Sequence, residues 1–182
     1  MSSAAWAALG IAAVLGFWVL GAYNRLVALR NAVAAAWVQA DEAQRRRGEG
    51  TEQLVAALRA PLAAEAGALD ALWAAQAALA RTAGAMSARP LVAANARAWT
   101  EAEQHLLAAA ARVFALADGH AEALAGNAAV AEARTVWREA EQRLRFARQL
   151  YNDAAAAYDE AITVFPTSLL SPAFGFQAAG RL

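Results

Sequence analysis

Residues 130–165, VAEARTVWREAEQRLRFARQLYNDAAAAYDEAITVF, carry apolar or small side chains in alternating steps of three and four. Every seventh position is bulky, and each position between two bulky ones is Ala. This pattern predicts a long helix packed against other helices, because the bulky side chains fill layers and the Ala positions admit a neighbouring backbone. The predicted bundle seam, from which the adjacent Ala155 is left out, is Val130, Ala133, Trp137, Ala140, Leu144, Ala147, Tyr151, Ala154, Tyr158, Ala161 and Phe165.

Three more helices are predicted before this one. Ala makes up 58 of the 182 residues, which favours helix over strand. The first helix is predicted to end at the glycine-rich segment 48–50, and the second covers 51–83 with a kink or restart at Pro61. The third opens at 87–90 and ends before Gly119. Short connections make neighbouring helices antiparallel, so we expect an all-α fold in which one transmembrane helix continues into a long antiparallel four-helix bundle.

The transmembrane helix is predicted from the N-terminal segment. Residues 1–24 carry no charge, and the 19 residues 4–22 are all apolar. At roughly 1.5 Å per residue they reach about 28 Å, close to the hydrocarbon thickness of a bilayer. A cleaved signal peptide, with a tolerable site at 19–21, is the alternative, but it normally has a basic start and a shorter apolar core. We predict an anchor at 1–24 with span residues Trp6, Ile11, Leu15, Phe17, Trp18 and Leu20.

Basic residues predict the orientation of this anchor. None precedes the span, whereas Arg25 and Arg30 follow it directly and residues 45–47 are three consecutive arginines. The positive-inside rule therefore predicts an outer N-terminus and a cytoplasmic bundle. The 45–47 run itself is interpreted as favourable charge at a helix C-terminus.

The C-terminal tail forms a third unit. We divide the chain into the anchor at 1–24, the bundle at 25–166 and the tail at 167–182. No charge occurs between Glu160 and Arg181, yet the tail is too short and too interrupted by Pro and Gly to span a bilayer. We expect an interfacial or intersubunit segment whose contact residues are Leu169, Leu170, Phe174 and Phe176.

Several kinds of chemistry are disfavoured by the composition. The net charge is zero with acids and bases interleaved, so we expect no nucleic-acid partner. The chain has no cysteine, and therefore no thiolate nucleophile or thiolate metal ligand. Glu101 and His105 are one helical turn apart and could hold a metal, but a dinuclear bundle site needs ligands from four helices. We expect no metal, no cofactor and no catalytic residue.

Three polar residues on the helical seams are interpreted structurally. Tyr151 and Tyr158 are expected to place their rings in the seam and their hydroxyl groups at its edge. Asn95 is expected to fix the register of the third helix. No phosphate-binding loop and no set of nucleophile, base and acid can be assembled, so we do not expect an enzyme.

The two ends of the chain resemble the LemA family. The first part of the resemblance is the segment Tyr23-Asn24-Arg25-Leu26-Val27-Ala28-Leu29-Arg30-Asn31, followed by Ala36-Trp37 and Arg46-Arg47. The second part consists of Tyr151-Asn152-Asp153-Ala154, Tyr158, Ile162, Phe165-Pro166 and Gly175-Phe176. The segment 50–55 departs from the family's usual Leu-Ile-Pro-Asn-Leu-Val, and the family's aromatic C-terminal end is missing, so the chain resembles a divergent member.

The resemblance implies a single-pass, four-helix protein without established enzymology, in a bacterial inner membrane or an internal membrane derived from it. We expect a non-enzymatic scaffold that assembles with itself or with unidentified protein partners, contacts membrane lipid, and organises or shapes the membrane. The alternative is a signalling or small-molecule-sensing bundle, which would need a pocket with a few converging polar groups.

Overall fold

The computed structural model describes residues 3–165, 167–169, 171 and 174–182. Its four long helices are α1 (Ser3–Leu58), α2 (Ala66–Ala88), α3 (Ala93–Gly119) and α4 (Ala128–Thr163). Two single 3₁₀ turns lie at Ala63–Glu65 and Thr167–Leu169, and the described part of the chain contains no strand. The prediction of an all-α four-helix fold is therefore confirmed.

Helix α1 is 56 residues long and joins two different environments. Its N-terminal part touches little of the protein, and the six predicted span residues are exposed or nearly so. This part is long and apolar enough to cross a membrane. Burial in the bundle begins at Leu26, without any break in the helix.

The predicted end of the first helix at 48–50 is wrong, because α1 continues through both glycines to Leu58. A β-carbon at Gly48 would lie 2.7 Å from Nε2 of Gln76 in α2, and one at Gly50 would lie 3.1 Å from the backbone nitrogen of Trp137 in α4. The glycines therefore let neighbouring helices approach closely. The second helix consequently begins at Ala66 rather than at residue 51, after a turn that contains Pro61.

Contacts along α1 establish the directions of the other helices. Residues further along α1 meet earlier residues of both α2 and α4, so these two helices run antiparallel to α1. The contacting pairs are Trp37 with Ser87, Arg59 with Asp70, Trp37 with Tyr151, and Arg47 with Glu141. Helix α3 then runs parallel to α1, which completes the predicted up-down-up-down path.

Nine of the eleven predicted seam residues of α4 are buried. The seam prediction fails near the C-terminus of the helix, where Ala154 is half-buried and Ala155 is fully buried. A straight helix drifts by about 20° per heptad from a strict seven-residue repeat, so the buried face moves to the next residue after several heptads. Phe165 lies beyond the last helical residue, Thr163, and is exposed, whereas Ile162 is buried.

We predict that Ala155→Leu destabilises the protein by about 1–3 kcal/mol through overpacking, as do Ala140→Leu and Ala147→Leu. All three alanines are buried against neighbouring helices. Ala156→Leu is the matched control, because Ala156 is exposed on the same helix. Far-UV circular dichroism during chemical unfolding measures the free energies, and a loss at position 156 equal to that at 155 would contradict the assignment of the buried face.

The C-terminal tail folds back over its own bundle. The backbone nitrogen of Ala179 donates to Asp159 of α4 at 2.7 Å, and that of Gly180 donates to Leu91 O in the α2–α3 turn at 3.2 Å. Asn152 binds both the backbone nitrogen and a carbonyl oxygen of Leu182 at 2.9 Å. The tail therefore covers the end of the bundle that contains the α2–α3 turn. At this end, α1 and α4 extend beyond the other two helices.

Candidate functional site

A buried ionic cluster lies at the centre of the bundle. The side chain of Arg47 in α1 is 0% exposed. Its guanidinium binds both carboxylate oxygens of Glu103 in α3, with Nη1 donating to Oε1 at 2.7 Å, and it also donates to Glu141 in α4. The guanidinium carbon lies 5.8 Å from the centre of the Trp137 ring. One arginine thus joins three helices through charge-assisted hydrogen bonds.

The interpretation of residues 45–47 as charge at a helix C-terminus is wrong, because α1 continues for eleven residues beyond Arg47. Arg45 pairs with Asp41, and Arg46 pairs with Glu49 at 3.3 Å; both arginine side chains are exposed. Neighbouring arginines on a helix point about 100° apart, so three consecutive ones cannot all face solvent or all face the core. Arg47 is the one that faces inward.

The charges in this cluster reinforce one another. Burial alone would lower the pKa of Arg47, but hydrogen bonds and charge from Glu103, followed by those from Glu141, outweigh it and raise that pKa. Arg47 therefore stays protonated near pH 7 and serves as a fixed internal cross-link between helices.

Polar groups continue along α1 on both sides of Arg47. Gln44 Oε1 accepts a hydrogen bond from Trp99 Nε1 at 2.8 Å, and Thr51 Oγ1 donates to the carbonyl of Arg47 at 3.0 Å. We call Gln44, Arg47, Thr51, Glu103 and Glu141 the polar layer. Among the described residues, five buried side-chain atoms have no hydrogen-bond partner: Arg47 Nε, Gln76 Oε1, Thr100 Oγ1, Arg134 Nε and Trp137 Nε1.

The sequence did contain a signal for the polar layer. Buried residues of α1 follow strict steps of three and four through both glycines: Val33, Trp37, Ala40, Gln44, Arg47, Thr51, Leu54 and Leu58. The position of Arg47 in this series is a core position. The prediction missed this position because it ends the helix at the glycine-rich segment 48–50 and interprets the arginine run as charge at a helix C-terminus.

An aromatic cluster lies next to the polar layer, on the side nearer the apolar part of α1. Trp37 meets Trp99 edge-on at 5.8 Å and Tyr151 at 6.4 Å between ring centres. The Tyr151 hydroxyl donates to the carbonyl of Pro90 at 2.5 Å, and burial raises its pKa to about 12. Burial also raises the pKa of Tyr158. Both phenols remain neutral near pH 7. The hydrogen bond of Tyr151 connects the α2–α3 turn to α4.

Asn95 has a different role from the predicted one. Its Nδ2 donates to the carbonyls of Ala85 at 2.9 Å and Arg89 at 3.2 Å, near the end of α2. Both carbonyls also accept a backbone hydrogen bond, from Arg89 and Val92 respectively, so Asn95 adds a second donor to each and ties the start of α3 to the end of α2.

Comparison with known protein families decides the classification of the chain. The LemA family profile matches residues 36–181, which include the bundle and the tail but exclude the apolar segment. The chain belongs to the LemA family. A search of curated proteins finds no match to this sequence.

In this LemA-family chain, several residues that carried the resemblance hold the tail in place. Asn152 binds the C-terminal residue, and Phe176 packs against Tyr158 at 6.4 Å and Tyr23 at 6.2 Å between ring centres. Gly175 adopts a φ of 69°, a left-handed conformation that other residues rarely adopt. The family's landmarks at the two ends of the chain thus meet in one place, at the end of the bundle next to the apolar part of α1.

The other predicted tail residues differ in exposure. Leu169 is 67% exposed and Phe174 is 49% exposed, whereas Phe176 is half-buried. Leu170 lies outside the described residues. Folding back therefore buries part of the tail but leaves much of its apolar surface uncovered.

A surface groove lies between α1 and α4 of this LemA-family bundle. It has a volume of about 620 Å³, and Arg45, Arg46, Glu49, Arg143 and Phe146 line part of it. The Phe146 ring is 66% exposed there. An aromatic side chain surrounded by arginines has the composition of a protein–protein contact.

The described residues contain no cluster of three metal-ligating side chains. Glu101 and His105 of α3 both face solvent.

Proposed function

We propose that this LemA-family protein is a membrane-anchored, non-enzymatic scaffold that assembles with itself and organises or shapes the membrane or its partner proteins. The observation that carries the proposal is the unbroken α1, whose apolar part and bundle part form a single helix. Because no hinge separates them, the bundle must hold a fixed orientation relative to an anchor in the bilayer. From Tyr23 to Leu58 the helix rises about 52 Å, so contacts along its side are presented at defined heights above the membrane.

Self-assembly is assigned to the groove between α1 and α4. Phe146 is a large exposed ring, and interface energy concentrates on such aromatic and arginine side chains. The groove is bordered by both charge signs, from Arg143 and Arg46 on one hand and Glu49 on the other. Such mixed charge suits a second copy of the same surface, in which each arginine can face a carboxylate.

The mass of the detergent-extracted particle tests this assembly. Light scattering during size-exclusion chromatography should give a multiple of the 19.0 kDa chain after subtraction of detergent. Phe146→Ala should shift the particle to lower mass, whereas Trp73→Ala, at a half-exposed ring on α2, should not. A monomeric wild-type particle would contradict self-assembly, and proteins that co-purify with it would then identify partners.

The orientation is proposed to place the bundle in the cytoplasm of a bacterial cell, with the N-terminus on the opposite side. The support is the charge asymmetry across the apolar segment, with Arg25 and Arg30 after it and no basic residue before it. Single cysteines at positions 2 and 119 can be labelled in intact cells with an impermeant maleimide, since the chain has no cysteine and Gly119 has free space around it. We expect labelling at position 2; labelling at 119 with protection at 2 would reverse the orientation.

A small-molecule-sensing bundle is the second candidate function. The observation that favours it is the set of buried polar atoms without partners around the polar layer, on Arg47, Gln76 and Thr100. A ligand bound there would raise the unfolding temperature of the wild-type protein. Thermal unfolding with a panel of small polar metabolites tests this candidate, and Thr100→Val should abolish any shift that arises at this place.

A further inference from the structure

Large apolar side chains are exposed at the end of the bundle next to the apolar part of α1. Four large side chains at this end, which we call the apolar collar, are exposed: Tyr23, Phe165, Leu169 and Phe174. Phe165 is 74% exposed and Leu169 is 67% exposed. Groups of exposed large apolar side chains on a protein surface usually mark a site that contacts a partner or a membrane.

The collar lies on and beside α1 directly after the apolar run of that helix. Its Leu169 belongs to the same 3₁₀ turn as Thr167, which lines a cleft with Phe165. The rings of Tyr23 and Phe174 lie 5.2 Å apart, and Phe165 lines a cleft together with Arg25 and Leu29. From residue 22 to Leu29 the helix rises about 10 Å. The interfacial layer of a bilayer is roughly 5–8 Å thick on each side, so an anchor at 4–22 places the collar at this layer.

Hydrogen bonds hold the start of the tail to the C-terminal end of α4. Thr167 donates to the carbonyls of Ala161 and Val164, and Ser171 Oγ donates to the carbonyl of Ile162 at 2.9 Å. Further along the chain, Arg181 pairs with Asp159 at 2.7 Å. These contacts already order Thr167, Ser171 and Arg181 against the bundle, so a further contact of the tail with a second surface costs little additional entropy.

The composition of the collar suits lipid. Phenylalanine and leucine contact the outer acyl region, and tyrosine is enriched at the interface of bilayers. Arg25, exposed at the same level, can reach headgroup phosphates. Glu160 of α4 lines the same cleft, so this end is not strongly cationic.

We propose that the apolar collar inserts into the interfacial layer of the leaflet from which α1 emerges, so that the C-terminal tail forms a second membrane contact. The bundle is then held to the bilayer at two points on its circumference, and it cannot tilt about α1. This inference rests on the anchoring of α1 in the proposed function and is independent of self-assembly.

Spin labelling of the full-length protein in lipid nanodiscs of phosphatidylcholine and phosphatidylglycerol tests the collar. Single cysteines at Leu169, Leu15 and Gly119 report the collar, the span and the far end of the bundle. We expect the ratio of oxygen to water-soluble nickel accessibility to be several-fold higher at 169 than at 119, and highest at 15. Leu169 is exposed, so its substitution leaves the bundle intact.

The three labels separate the possible failures. A lipid signal at 15 with a water signal at 169 would overturn the collar and leave the anchor standing. Water signals at both 15 and 169 would overturn anchoring and the collar together. A label at 169 that is shielded from both reagents and shows dipolar broadening would identify a second copy of the chain as the occupant, which also overturns the proposal.

Discussion

Arg47→Ala is expected to lower the free energy of unfolding by about 3–5 kcal/mol, a large share of the stability of a single domain. The substitution leaves the Glu103 carboxylate, which is 2% exposed, without its cation. It also removes the cross-link from α1 to Glu141 and leaves a cavity beside the Trp137 ring. An uncompensated buried charge is the largest of these costs.

The neighbouring residue provides the control. Arg46→Ala removes the same charge one residue earlier, but its exposed pair with Glu49 contributes at most about 1 kcal/mol. Urea unfolding of the full-length protein in one detergent, followed by far-UV circular dichroism, gives both free energies. Equal losses at positions 46 and 47 would show that the polar layer does not cross-link the helices.

A combined variant separates two contributions to the free energy of unfolding: the penalty of leaving a buried carboxylate unpaired and the net stabilisation by the intact ionic cluster. Arg47→Met with Glu103→Met and Glu141→Gln replaces the cluster by apolar or neutral groups of similar size, and we expect it to recover most of the loss. If recovery is complete but the particle mass or helix content changes, the polar layer specifies the register of the helices more than it stabilises them.

The fold class could be predicted because the buried face of each helix in a bundle carries apolar residues at a helical period, and this period is visible in the sequence. The α4 seam illustrates this: from Val130 to Tyr151 each predicted position is buried. The prediction failed at Ala154 because a fixed seven-residue repeat ignores the drift of a straight helix. Local spacing was a reliable guide over about three heptads.

The polar layer was missed because sequence rules treat glycine and arginine by their usual behaviour. Glycine usually weakens a helix, yet Gly50 lies where a side chain would meet the backbone of Trp137. Arginine is usually exposed, yet Arg47 is buried beside Glu103. Both exceptions arise from tertiary contacts with residues more than fifty positions away in the chain. The spacing along α1 indicates that Arg47 faces the core, but it does not identify the residues that Arg47 meets there.

Trp99→Ala is expected to cost about 3–5 kcal/mol, because a fully buried ring in the bundle core would be lost. Trp99 packs edge-on against Trp37 and lies under the guanidinium of Arg148, at 5.4 Å from ring centre to guanidinium carbon. Trp73→Ala, which truncates a half-exposed tryptophan on α2, should cost about 1 kcal/mol or less. Similar losses at the two positions would mean that the Trp99 site is not a packed core site.

The hydrogen bond of Trp99 can be separated from its packing. Trp99→Phe keeps an aromatic ring but removes the donor to Gln44, whose amide oxygen then stays buried without a partner at a cost of about 1–3 kcal/mol. Adding Gln44→Leu removes that unpaired oxygen, so the double variant should be more stable than the Trp99→Phe variant. The same urea unfolding completes the double-mutant cycle. A double variant less stable than Trp99→Phe would show that Gln44 supports the bundle through contacts other than its hydrogen bond with Trp99.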